Sequence, residues 1–249
     1  MTKTTYYILT LLIFCSLSVV AQSGPAVIKD SDGFTNVRSG PGTDYDVIDT
    51  LFTEDFFYFK HENNSGWAKV TAWKGRQIEG FIHESRIQEV KNLDSNSRKE
   101  IIIKVLDRQR TLADHFRAAW KAKDSLAYRT TVKELENYSD TKYDPILQVI
   151  PEYFCSTNDA GIIDKFFATM WSDKGSANEM PSFSIGGCFI CNAELVIERL
   201  DKITNNEQKK LIIGHIEWGL MNQFDVDEGG NSEDKKYNEL IEKLKKASP

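Results

Sequence analysis

The chain has no basic tract, no second long apolar run and no familiar catalytic signature. It carries 31 lysine plus arginine against 37 aspartate plus glutamate, a net charge of -6 over 249 residues. A protein whose main partner is nucleic acid carries a basic patch or stripe, and none is present. The same deficit excludes docking on an anionic membrane surface by charge alone. There is no Gly-x-Ser-x-Gly, Walker A or Gly-x-Gly-x-x-Gly run, so the common nucleophile elbow, phosphate loop and dinucleotide fingerprint are excluded. His83-Glu84-Ser85-Arg86-Ile87 begins like a zinc-protease motif but lacks the second histidine. No fixed repeat period runs through the chain, so no named repeat architecture is expected.

What is present begins with an export signal over residues 1–21. Lys3 supplies a short basic start. Residues 6–20 are apolar apart from Thr10, Ser16 and Ser18, and Val19-Val20-Ala21 offers a small-residue cleavage site before Gln22. The apolar stretch falls short of the ~20 residues that a membrane-spanning helix needs. Cys15 follows the bulky Ile13-Phe14, which does not suit a lipoprotein signal. No later stretch has the length to span a bilayer. The expectation is a mature protein outside the cytoplasm, either periplasmic or secreted, with no transmembrane segment left after cleavage.

Short strand-like runs follow at 26–29, 35–38, 46–51, 56–61, 67–71 and 77–82. Turn residues separate them: Asp30-Ser31-Asp32-Gly33, Gly40-Pro41-Gly42, Asn63-Asn64-Ser65-Gly66 and Lys74-Gly75. Closely spaced short strands predict a small barrel or sandwich. The run Asn36-Val37-Arg38-Ser39-Gly40-Pro41-Gly42-Thr43-Asp44-Tyr45-Asp46-Val47-Ile48 is the most informative. It resembles the signature of bacterial SH3-like (SH3b) domains. Gly66-Trp67-Ala68-Lys69-Val70 resembles that family's central Gly-Trp-x-x-Val strand. Gly80-Phe81-Ile82-His83 resembles its closing Gly-Trp-Val-His strand, with Phe81 in place of tryptophan. Together the three cover residues 26–90.

The resemblance implies a targeting module that binds peptidoglycan or a protein. The residues themselves suggest where. Arg38 and the turn glycines are expected to serve the fold. In Phe56-Phe57-Tyr58-Phe59 alternate residues face opposite sides, so one pair enters the core and the other is a surface candidate. Aromatic rings offer a flat apolar face with a polar edge. A groove lined by Tyr45, Tyr58, Trp67 and Trp73 would therefore suit a sugar or an extended peptide. For Trp67 a place in the core is the favoured competing reading, and for Trp73 an exposed one.

Residues 91–97 read as a polar linker, and 98–247 as helical. Ser97-Arg98-Lys99-Glu100 fits a capping box, and Ile102, Val105, Leu106, Leu112, Ala113, Phe116 and Trp120 recur at helical spacing. Further helices are expected at 126–138, 143–154, 160–171, 188–203, 207–224 and 235–247, with a second capping box at Thr204-Asn205-Asn206-Glu207. The lysines of 235–246 are interleaved with glutamates and read as a solvated face. The fold class is thus β then α: a small SH3-like barrel followed by a helical bundle or short irregular solenoid.

Cys155, Cys188 and Cys191 remain after signal cleavage. In an oxidising compartment two should pair, with Cys155 joined to Cys188 or Cys191 and the third thiol buried or open to another chain. Cys188-Phe189-Ile190-Cys191 has thioredoxin-like spacing but lacks the βαβ context. A zinc site from these cysteines and His215 is the weaker reading, because His215 shares a helix face with Leu211, Ile212 and Trp218. Asp225-Val226-Asp227-Glu228-Gly229-Gly230-Asn231 superficially resembles a calcium loop, yet Lys236 stands where a bidentate glutamate is needed. No cofactor, metal or catalytic residue is expected. These readings combine into an exported, non-enzymatic cell-envelope binding protein. Its barrel would recognise peptidoglycan or an extended peptide, and its helical half a protein partner. The alternatives are a cell-wall hydrolase with an unfamiliar helical catalytic domain, and a thiol-disulfide exchanger.

Overall fold

A computed structural model describes residues 24–62, 65–227 and 229–247. The expected export signal, and Asn63-Asn64 of one turn, lie outside these. The first part of the described chain is a curled antiparallel sheet of seven strands. They are β1 (Ala26–Ile28), β2 (Phe34–Arg38), β3 (Val47–Phe52), β4 (Phe57–His61), β5 (Trp67–Trp73), β6 (Gln77–His83) and β7 (Ile87–Glu89), in the spatial order β3-β2-β6-β5-β4-β1-β7. The short β7, absent from the sequence reading, pairs with β1 from Ala26 opposite Glu89 to Ile28 opposite Ile87. Alternation sets the faces. Val37, Leu51, Phe57, Phe59, Ala68, Val70, Ala72, Ile78 and Ile82 point inward and form the sheet's own core.

The helices that follow are α1 (Ser95–Ala122), α2 (Ser125–Tyr138), α3 (Asp144–Leu147), α4 (Ile150–Thr157), α5 (Ala160–Ser172), α6 (Met180–Cys191), α7 (Ala193–Asp201), α8 (Asn206–Met221) and α9 (Lys235–Ala247). Helix α1 starts earlier than the capping-box reading placed it. Asp94, not Ser97, is the cap, and its carboxylate accepts from the backbone N–H groups of Asn96 and Ser97, each at 3.0 Å. Ser97 instead donates its hydroxyl to Asp94. Asn205, rather than Thr204, caps α8 in the same way.

Two expected helices are broken. The run 188–203 divides at Asn192, whose side chain accepts from Leu195 N at 3.1 Å and caps α7. Helix α6 correspondingly starts upstream, with Pro181 in its first turn. The run 143–154 divides into α3 and α4, with Pro145 and Pro151 in their first turns. A π turn, Ser139–Tyr143, joins α2 to α3. Helices α6 and α8 cross at backbone contact. A Cβ on Gly186 would stand 2.9 Å from Gly219 Cα, so glycine is required there. Among the described residues no single helix is long and apolar enough to cross a membrane.

The helical core does not stop at the sheet. Val27, Phe56 and Val90 belong to the same buried cluster as Ile102, Leu106, Tyr143, Ile146 and Phe154. Lys142 ties the seam: its ammonium donates to the Glu54 carbonyl and lies 3.1 Å from the Asp55 carboxylate. It also sits over the Phe56 ring, 5.6 Å from its centre. Residues 91–97, read as a linker, carry the end of a short turn (Val90–Asn92) and the start of α1.

Phe56→Ala empties a site in this shared core and is expected to cost about 3–5 kcal/mol. Gly219→Ala forces the α6–α8 crossing apart and is expected to cost at least ~1–3 kcal/mol. Urea titration followed by far-UV circular dichroism measures both. A loss below ~0.5 kcal/mol at either position would contradict the packing described.

Candidate functional site

The outer face of the sheet carries the residues that do not enter its core. On β5 these are Trp67, Lys69, Thr71 and Trp73. The register places His83 beside Trp67, Phe81 beside Lys69 and Gln77 beside Trp73. Trp67 is therefore not a core residue, contrary to the favoured expectation. Its ring is partly exposed and meets the His83 ring edge to face at 5.5 Å. Strand β2 adds Phe34, Asn36 and Arg38 to this face, since Arg38 lies opposite Phe81. The result is a hollow of about 350 Å³ bounded by Phe34, Asn36, Arg38, Trp67 and His83. Asp30 and Arg86 form an ion pair at its rim.

Arg38 has a structural duty here. Its guanidinium donates to the carbonyls of Thr43 at 2.9 Å and Tyr45 at 2.7 Å, which holds the Gly40-Pro41-Gly42 turn closed. Tyr45 folds back over that turn, and a Cβ on Gly40 would collide with its ring. This explains the glycine without any ligand. Tyr45 remains half exposed, yet it does not line the hollow beside Trp67.

Tyr58 and Trp73 belong to a different place. Trp67 and Trp73 are the two ends of β5 and lie about 20 Å apart at the usual strand rise. Tyr58 shares the outer face through its pairing with Thr71. However, the helical half covers it: Gln148 Nε2 donates to its hydroxyl at 2.8 Å. Burial raises the phenol's pKa above its ordinary value. Tyr58, Trp73, Phe56, Asp140, Thr141 and Pro145 enclose a small space of about 130 Å³ at the seam. The single groove expected from Tyr45, Tyr58, Trp67 and Trp73 is thus three separate positions. The alternation in Phe56-Phe57-Tyr58-Phe59 does hold, with Phe57 and Phe59 in the sheet core. The opposite pair faces helices rather than water.

Cys155 on α4 and Cys191 at the end of α6 lie at disulfide distance, with Cα atoms 5.5 Å apart across 36 residues. Cys188 is free and fully buried, and burial pushes its thiol far above the ordinary range. Cys188 and Cys191 therefore do not form the exchange pair their spacing suggested. His215 Nδ1 lies 2.7 Å from Ser182 Oγ. The pair is not set up as a nucleophile and base, because Ser182 is buried at the α6–α8 crossing. Burial lowers the imidazole's pKa below its ordinary value. In the loop 225–231, Asp227 Oδ1 accepts from the N–H groups of Gly229 at 2.9 Å and Asn231 at 2.8 Å. That carboxylate oxygen is spent on its own loop. Among the described residues no group of three or more His, Cys, Asp or Glu is placed to hold a metal ion.

The sequence reading missed Phe34, Asn36 and His83 as neighbours of Trp67. The alternation Phe34-Asn36-Arg38 was visible in the sequence, but the pairing of β2 with β6 that brings it near Trp67 was not.

Removing the cross-link by Cys155→Ser is expected to cost about 2–4 kcal/mol in urea unfolding. Peptide mapping without reductant should recover Cys155 joined to Cys191, with Cys188 alkylated only after denaturation. A Cys155–Cys188 peptide would contradict the arrangement. Comparison of the chain with family models, with curated proteins and with solved structures finds no match.

Proposed function

We propose that the protein is an exported, non-enzymatic binding protein of the cell envelope. Its β half acts as an SH3-like module that recognises peptidoglycan in the hollow beside Trp67. Its helical half holds a protein partner. The observation that carries this reading is the composition of the hollow. Two aromatic rings, the exposed Phe34 and the partly exposed Trp67, flank the polar side chains of Asn36, Thr43 and His83. Saccharides and their peptide substituents are bound by such pairings of flat apolar faces with hydrogen-bonding groups. The three sequence motifs shared with SH3-like domains support the same reading.

A second ligand form is favoured by a separate feature. Strand β3 is one of the sheet's two edge strands, with β7, and Val47, Ile48 and Phe52 are each more than 40% exposed on it. An extended peptide could add to this edge through main-chain hydrogen bonds.

Co-sedimentation of the mature chain with purified peptidoglycan sacculi tests the proposal. Trp67→Ala and Phe34→Ala are each expected to weaken pelleting about tenfold, equivalent to ~1.4 kcal/mol. Trp73→Ala should leave it unchanged. Pelleting that survives both hollow substitutions but is lost in Ile48→Lys would move the site to the β3 edge. No pelleting of the native chain would reject wall binding.

A further inference from the structure

The helical half contains a second cleft, of about 530 Å³, bordered by α1, α2, the π turn and the segment after α5. Phe116, Val132 and Leu135 give it an apolar wall, and Asp140, Asp144 and Asp173 an acidic one. Gln109 is wholly buried beneath it. Its Nε2 donates to Ser139 Oγ at 2.9 Å and to Asp173 Oδ2 at 3.2 Å, both on cleft residues. Its Oε1 has no partner. The wholly buried Tyr143 hydroxyl is also unpartnered, and it lies close enough to Asp173 and Asp144 for their charges to act on it. Asp144 Oδ1 accepts from Asn178 Nδ2 at 2.7 Å.

Gln109 Oε1 is thus an acceptor without a donor, and the Tyr143 hydroxyl has its bonding capacity unused. A buried acceptor without a donor is costly, and a buried carboxylate more so. Arg117 and Lys174 also line the cleft, and the charge of Arg117 favours the ionised form of Asp173, though burial outweighs it. Arg117 donates to the Trp171 carbonyl at 3.3 Å and lies 3.9 Å from Asp114. Lys174 places its ammonium over the Trp171 ring, 3.4 Å from its centre. Asp173 also follows the C-terminus of α5, where a helix dipole disfavours negative charge. Its position works against stability. Burial, more than any other influence, raises its pKa to about 6, and raises that of Asp144 too. Glu136 and Asp140, the other acids lining the cleft, add negative charge of the same sign. A π turn beside unpaired buried polar groups is a feature often found at functional sites.

We propose that this cleft binds an alkylammonium group, with the cation between Asp144 and Asp173 and its aliphatic stem along Phe116, Val132 and Leu135. An ammonium supplies three N–H donors and no acceptor, which matches the Asp144 and Asp173 carboxylates that line the cleft. The chemistry is shared by a free aliphatic amine and by a lysine side chain of a peptide. The site is separate from the hollow beside Trp67 and stands or falls without it.

Isothermal titration calorimetry on the full mature chain at pH 7.5 tests the site, with 1,5-diaminopentane, n-pentylamine and Nα-acetyl-lysine methylamide as probes and 1-pentanol as the uncharged control. Saturable binding of at least one amine, with pentanol silent, is expected. Binding of the lysine derivative alone would identify a peptide source, and binding of the free amines would identify a small-molecule one. Asp144→Asn and Asp173→Asn should each weaken binding tenfold or more. Binding should also fall as the pH drops through 6, where Asp173 gains its proton. Asp173→Asn has a second readout that reports folding. The raised pKa means that the ionised carboxylate opposes folding above pH 6, so the variant should melt higher than the native chain at pH 7.5. That gain should vanish below about pH 4, where the carboxyl is protonated in both states. Val132→Trp narrows the cleft without touching an acid and should abolish binding. Failure of all three amines at millimolar concentration would overturn the proposal, as would native-like binding in both aspartate variants.

Discussion

The burial of Phe56, with Val27 and Val90, in the helical core is the constraint on which the rest of the molecule depends. A sheet of short strands encloses only a small core of its own, and small cores are marginal. Phe56 leaves that core by strand alternation and enters the larger one. Phe57, the first residue of β4, is thus buried by its own sheet, and Phe56 just before it by the helices. Burying a phenylalanine contributes about 1.5–3 kcal/mol, and here that contribution exists only while the two halves remain together.

This seam decides which surfaces are open to a ligand. It covers Tyr58 and leaves Trp73 at its rim. It leaves the opposite end of β5 exposed, with Trp67, His83 and the outward residues of β2. The π turn Ser139–Tyr143 has a part in both sides of the arrangement. Lys142 reaches the sheet, Tyr143 enters the helical core, and Ser139 and Asp140 face the acidic cleft. A π turn puts successive side chains at angles that a regular helix would not allow. That accounts for one five-residue segment meeting three environments.

Much of this was legible in the sequence. The strands from 26 to 82 follow from period-two alternation and the turn residues between them. The helix at 235–247 was legible, and Tyr237, Leu240, Leu244 and Ala247 are its buried residues. What could not be read depended on partners remote in the chain. Nothing near Phe56 says that helices cover its face. Asn192 breaks a helix inside an apolar run because its side chain caps the next one, a local event hidden by the hydrophobic pattern on either side. Gln109 looks like one more polar residue on a long helix. Only the packing of α1 against the π turn and α5 shows that it lies under a cleft with an acceptor to spare. Of the four aromatics singled out, Tyr58, Trp67 and Trp73 do lie on the outer face, but the helices cover Tyr58 and the length of β5 separates the two tryptophans.

The integrity of the seam is open to calorimetry. If Val27, Phe56 and Val90 hold sheet and helices in one core, residues 24–247 should unfold in a single transition, with calorimetric and van't Hoff enthalpies equal. Two resolved transitions, with Phe56→Ala shifting neither, would show that sheet and helices fold independently and that the shared core contributes nothing to holding them together.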